Sequence, residues 1–302
     1  MTAHQDQETI TLRQVLGRVA PEKISQEAFD HNDKHLRRLV RLQPGEKAEA
    51  EDLWEYIQDL RHTDIQGPLL AYLLPSCLEA WREDLLGISG EYGGFVEHFY
   101  PVLADRHIFD VHLTPKQTAA VSEFMRQAIL REIDDQRGLA YQGSWARPYR
   151  WIRALTTYGV LLPDLDRLWT EWWSLHTVDR AIAAAQYISC LIYPENENPV
   201  FAPWTSDGGG GPPCVWGFEG HLYAHRWFEP NVNFLKGILN VTTVGKVLGQ
   251  AAARLVDQPE RNVVELMQAD LPLLATELEA RCKVLPRLLE TTSESGPLAW
   301  PI

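Results

Sequence analysis

Apolar residues recur along most of the chain at the spacing of a helix face. Val121, Phe124, Met125 and Ala128 follow an i, i+3, i+4, i+7 pattern, and Leu165, Leu168, Trp169 and Trp172 repeat it. That period places four side chains on one stripe of a helix, where they can be buried together. Thr114-Pro115-Lys116-Gln117 stands before the first stripe. Thr at the N-cap, Pro at the first helical position and Gln at the third make a capping box, and Gly138 provides a stop. Pro163 opens the helix of the second stripe. Residues 178–193 read as a helix buried on most sides. Asp270 is expected to cap a helix whose Leu274, Leu278, Cys282 and Leu285 share a face, with Pro286 kinking or ending it. No sustained alternation of polar and apolar residues is bounded by hairpin turns. The chain is therefore expected to be all-α, with about ten to thirteen helices and a core that holds Phe124, Trp169, Trp172 and Leu278.

Domain organisation follows from the breaks in this pattern. Residues 1–20 read as a loosely ordered N-terminal arm. A helix from about Gln26 to Leu42 is broken by Gln43-Pro44-Gly45, and residues 21–302 are expected to form a single compact multi-helix domain. One long Gly/Pro/Trp-rich loop, at about residues 194–217, interrupts it. No internal repeat of fixed period is present, which removes a solenoid.

Composition narrows the classes of function. The 302 residues carry 41 acidic and 28 basic side chains, for a net charge of −13. Binding nucleic acid or an anionic membrane needs patches of Lys and Arg that neutralise phosphate, so neither partner is expected. A basic protein partner fits the charge. Cys77, Cys190, Cys214 and Cys282 show no CxxC pair and read as reduced, mostly buried thiols. The polar start MTAHQDQETITLRQ has no apolar signal region, and no run reaches the roughly 18 apolar residues of a membrane span. A cytoplasmic location is expected.

Charge is concentrated between residues 46 and 64, where seven Asp and Glu stand against Lys47 and Arg61. Leu53, Ile57 and Leu60 would turn inward from this helix. Asp52, Glu55 and Asp59, at i, i+3 and i+7, would share its solvent side and offer a docking face for a basic partner. The plainer reading of the same run is a solvated helix face.

Tyr72-Leu73-Leu74-Pro75, followed by Leu113-Thr114-Pro115-Lys116-Gln117 and then Val121 to Met125, resembles a pattern in uncharacterised bacterial proteins. In those a "YLP" helix precedes an "LTPxQ" helix. The resemblance covers about residues 56–130. It implies a bacterial, helical, intracellular protein and carries no activity.

The most unusual stretch is residues 194–230, which hold five prolines between Pro194 and Pro213 and the run Gly208–Gly211 between Trp204 and Trp216. A plain linker lacks aromatic groups worth burying, so this loop is read as a ligand- or partner-facing surface with Trp204, Asp207, Trp216 and Trp227 as binding residues. Glu219-x-His221-x3-His225 places two imidazoles at i and i+4. A helix would align them for a transition metal, with Glu219 as third ligand or base and His221 as a catalytic candidate. The Glu lies outside the His pair, unlike HExxH, and Gly217 and Gly220 weaken the helix; two surface histidines are the plainer reading. Asp30-His31-x-Asp33-x-His35 poses the same question beside Arg37, Arg38 and Arg41, whose charges oppose a cation.

Other chemistries fail on spacing. The four glycines are followed by Pro212-Pro213 where a phosphate-binding loop needs Lys and Ser or Thr at a helix start. Asp134-Asp135-Gln136-Arg137-Gly138 lacks the last acid of the DDxxD cluster that terpene cyclases use. No GxSxG nucleophile elbow is present, and Cys214 with His221 forms a dyad only if the fold joins them. A carbohydrate site stacking sugar on Trp204, Trp216 and Trp227 needs a carboxylate pair that no spacing identifies. Two readings remain. The first is an acidic helical binding protein, in concrete form an inhibitor of the bacterial immunity or antitoxin type, acting on a basic partner without a cofactor. The second is a hydrolase-like enzyme of unrecognised class, metal-dependent in one form, with its site in residues 194–230.

Overall fold

The computed structural model describes residues 12–17, 20–24, 33–42, 46–87, 95–135, 138–139, 147–193, 198, 200 and 227–290. Every regular element among them is helical and none is a strand. The all-α expectation holds. Contacts group the chain into two compact units, Met1–Ala128 and Ile129–Ile302, where the sequence pattern alone gives one body over residues 21–302.

In the first unit α1 (Asp33–Leu39) packs on α2 (Ala50–Leu60), and α2 packs on α3 (Gly67–Leu85) and α4 (Phe95–Asp105). Leu53, Ile57 and Leu60 are buried, as their spacing requires. Trp81 of α3 donates its indole N–H to the Tyr100 hydroxyl of α4 at 2.7 Å. A buried indole therefore keeps its polar atom satisfied. Residues 12–16 are helical, with Leu12 and Leu16 buried. Arg13 reaches Ser76 and Glu79 of α3, each at 3.1 Å. This part of the expected arm is thus fixed by two leucines and a salt bridge. A π-helical turn, Ile108–His112, follows α4.

The next helix, α5 (Pro115–Asp134), opens as the sequence prescribes. The Thr114 backbone N–H donates to the Gln117 side chain at 2.9 Å, and the Gln117 N–H donates back to the Thr114 hydroxyl at 3.4 Å. Val121, Phe124, Met125 and Ala128 are all buried.

The second unit is built around α8 (Val178–Ile192), which follows α6 (Arg147–Leu161) and α7 (Leu165–Trp172) and precedes α9 (Glu229–Ile238), α10 (Val241–Arg254) and α11 (Arg261–Glu290). Every residue of α8 from Arg180 to Ile192 is buried. Its run of alanines lets α6, α10 and α11 approach closely. Arg180 sits inside this unit because its charge is fully engaged: Nε and Nη2 grip the two Asp134 oxygens at 2.6 and 2.8 Å, and Nη1 donates to the Glu171 carbonyl at 2.8 Å. A buried guanidinium is tolerable only with such a set of acceptors.

One expectation for the last helix fails. Asp270 is no N-cap: it lies inside α11 and accepts a hydrogen bond from the Tyr193 hydroxyl at 2.7 Å. Of the two outcomes expected at Pro286, a kink or an end, the end does not occur: the helix continues to Glu290. No helix among the described residues is long and apolar enough to cross a membrane.

Candidate functional site

The acidic candidate lies on α2. Its Asp52 was expected on the solvent side, but the residue is buried at 2% exposure. The cause is a charge cluster with α1. His35 Nδ1 lies 2.5 Å from Asp52 Oδ1, Arg38 Nε donates to Oδ2 at 2.8 Å, and Arg38 Nη2 also reaches Oδ1. Burial alone would raise the Asp52 pKa, but hydrogen bonds from Arg38 and His35 outweigh it and hold the carboxyl below its ordinary value. The Arg38 pKa is raised in turn, first by its hydrogen bond to Asp52 and then, beyond the Asp52 charge, by the nearby Glu51 and Glu49. Asp52 is therefore an internal strut between α1 and α2. The same cluster accounts for His35: it meets an acid and a guanidinium, an arrangement that repels a cation.

With Asp52 withdrawn, the acidic line on α2 shifts by one residue. Glu51 is exposed, and Glu55 and Asp59 are half-buried. They stand at i, i+4 and i+8, so one helix face carries three carboxylates in a row. Like charges at this spacing repel by about 0.2–0.5 kcal/mol per pair in isolated helices.

The second unit contains a small aromatic-walled cavity with room for about one water. Ile152, Leu155 and Thr156 of α6, Leu165 and Trp169 of α7, Tyr187 of α8, Leu235 of α9 and Trp227 line it. Trp169 meets Tyr187 edge-on at 4.9 Å between ring centroids, and Trp151 meets Trp172 at 5.3 Å. Trp227 was expected to offer a binding surface. It is instead 5% exposed, its ring lying against the backbone of Gly159. The turn from α6 to α7 is held by Asn231 of α9. The Asn231 side chain donates to the Gly159 and Leu162 carbonyls at 2.9 and 2.6 Å and accepts from the Leu165 N–H at 3.2 Å. One buried amide thus satisfies groups that the end of one helix and the start of the next leave open.

Trp204, Asp207, Trp216, Glu219, His221 and His225 lie outside the described residues, as do Cys214, Gly208–Gly211, Asp30 and His31. Among the described residues no three His, Cys, Asp or Glu side chains are grouped as a metal site would require. Asp134, the first acid of the incomplete DDxxD, is committed to Arg180. Cys77 and Cys190 are buried and in no disulfide, and burial pushes the Cys77 thiol pKa up. Sequence reasoning missed the roles of Arg38, Gly159 and Asn231. The only local trace of the first is the i, i+3 spacing of His35 and Arg38. Comparison with protein-family models, curated proteins and solved structures finds no match for this chain.

Proposed function

We propose that this chain is an acidic helical binding protein whose partner is a basic protein, in the manner of a bacterial immunity protein or antitoxin-like inhibitor. The observation that carries the reading is the row of Glu51, Glu55 and Asp59 on α2. Arg38 is taken up by Asp52, and the three positions of the row carry carboxylates alone. A complementary row of Lys or Arg would relieve the repulsion along the helix. The chain-wide charge of −13 would draw such a partner in from a distance. Inhibition would follow from occupying the basic surface that the partner uses on its own target.

The test is retention of proteins from the cell of origin on immobilised full-length chain, compared with a variant carrying Glu51→Lys and Glu55→Lys. The expected result is a basic protein held by the wild-type chain at low salt, released as salt is raised and absent from the variant column. Equal retention by both, or retention insensitive to salt, would refute the reading.

A further inference from the structure

We infer that the aromatic-walled cavity of the second unit is the binding site of one structural water, held by the indole N–H groups of Trp169 and Trp227. The inference is independent of the function proposed above. Both indole nitrogens are buried, and no acceptor among the described residues lies within hydrogen-bonding reach of either. The two residues line the same cavity, Trp169 from α7 and Trp227 from just before α9. A buried indole normally finds a partner, as Trp81 does in Tyr100, and an orphaned donor costs stability. Covalent geometry fixes which end of Trp227 is left over. The ring meets Gly159 with Cε3, Cζ3 and Cη2, the outer edge of its six-membered ring. Nε1 belongs to the five-membered ring at the other end of the indole, so its N–H points away from that contact.

Thr156 of α6, which also lines the cavity, supplies the complementary group. Its hydroxyl donates to the Ile152 carbonyl at 3.2 Å, so its oxygen keeps lone pairs that accept. A water can take both indole protons and return one of its own to Thr156 Oγ1, which gives it the three polar partners typical of a buried site. Size and charge choose this occupant over others. Room for about one water excludes an organic ligand. No Lys, Arg or His stands among the described lining residues, so a monatomic anion would be buried without a counter-charge. An apolar group of the same size would leave both indole protons without an acceptor. The water would join α6, α7 and the residue that leads into α9. The Asn231 amide joins the same three helices, so α9 would be held on the α6–α7 pair at two polar points.

The test counts long-lived internal waters of the full chain by magnetic relaxation dispersion of the solvent oxygen, in the wild type and in Thr156→Ile. Isoleucine replaces the hydroxyl by an ethyl group, which adds one heavy atom in the space the water needs. The wild type should hold one more long-lived water than this variant, and the variant should melt at a lower temperature. An equal count would overturn the inference. So would a Thr156→Ile or Thr156→Val chain that melts higher than the wild type, which is the result for a dry cavity. A second reading does not depend on the isoleucine variant folding. In wild-type and Thr156→Val chains, nuclear Overhauser contacts from water are measured at the Trp169 and Trp227 indole protons, each assigned through its own backbone resonances. Contact at both indoles in both chains is expected, the valine having removed the Thr156 hydroxyl that could relay the same signal. Contact at one indole alone, or at neither, would overturn the inference.

Discussion

A Cβ placed on Gly159 would lie 2.2 Å from Cζ3 of Trp227, so the indole ring fills the space that any side chain at position 159 would need. Trp227 stands just before α9, and its ring, buried on α6, ties the start of α9 to the α6–α7 pair. The close approach needs a glycine in the last turn of α6, although glycine inside a helix costs about 0.5–1 kcal/mol relative to alanine.

Gly159→Ala should therefore destabilise the protein by about 1–3 kcal/mol or more, the range for overpacking a filled core. In a Trp227→Ala background the same change should be neutral or slightly stabilising, because the clash is gone and the helix gains a better former. Urea unfolding of both single variants and the double variant measures this. An equal cost of Gly159→Ala in both backgrounds would show that the ring does not occupy that space.

Asn231→Ala should cost more than about 2 kcal/mol, since each buried group left unsatisfied costs about 1–3 kcal/mol. Asn231→Asp keeps the shape but loses both donors and sets an anion beside the Gly159 and Leu162 carbonyls. It should be the least stable at neutral pH and recover partly in acid, when the carboxyl regains a proton to donate. Thermal melts at neutral and acid pH test this, and an Asp variant as stable as the wild type would contradict the assignment.

These examples show which parts of the fold were legible in the sequence. The capping box at Thr114 and Gln117 was, because its partners are three residues apart and the helix that follows them needs only local periodicity. The buried stripe of Leu165, Leu168, Trp169 and Trp172 was legible for the same reason. Asp52 was not: its burial depends on Arg38 and His35 arriving from a different helix, and its own spacing points outward with Glu55 and Asp59. Asp270 reads as a cap by type, yet it lies inside a longer helix because Tyr193 gives it a partner there. Nothing near Gly159 in sequence announces Trp227. The site candidates from Trp204 to His225 lie outside the described residues.

The Asp52 cluster makes a pH-dependent contribution whose sign is fixed. The native carboxyl has a lowered pKa, while the unfolded chain has about 3.9. Stability from this group is therefore complete above about pH 4–5 and is lost as pH falls through the native value. Asp52→Asn should lower the melting temperature at neutral pH, and the gap from wild type should narrow below about pH 4. A gap that stays constant into acid would mean that the carboxylate is not held by Arg38 and His35.

The proposed recognition of a basic protein by the row of carboxylates on α2 can be tested without unfolding the chain. Reversing Glu51 and Glu55 to Lys should cost little stability: surface changes usually stay within about 0.5 kcal/mol, with a further few tenths at Glu51 from its place in the first turn of α2.

The most direct measurement is calorimetric titration of the retained basic protein into the wild-type chain and into the Glu51→Lys, Glu55→Lys variant, each over a range of salt. Wild-type affinity should fall steadily with salt, and the variant should bind at least about a hundredfold more weakly, or about 2.7 kcal/mol, with its melting temperature nearly unchanged. Affinity that is the same for both chains and flat with salt would contradict the proposed recognition.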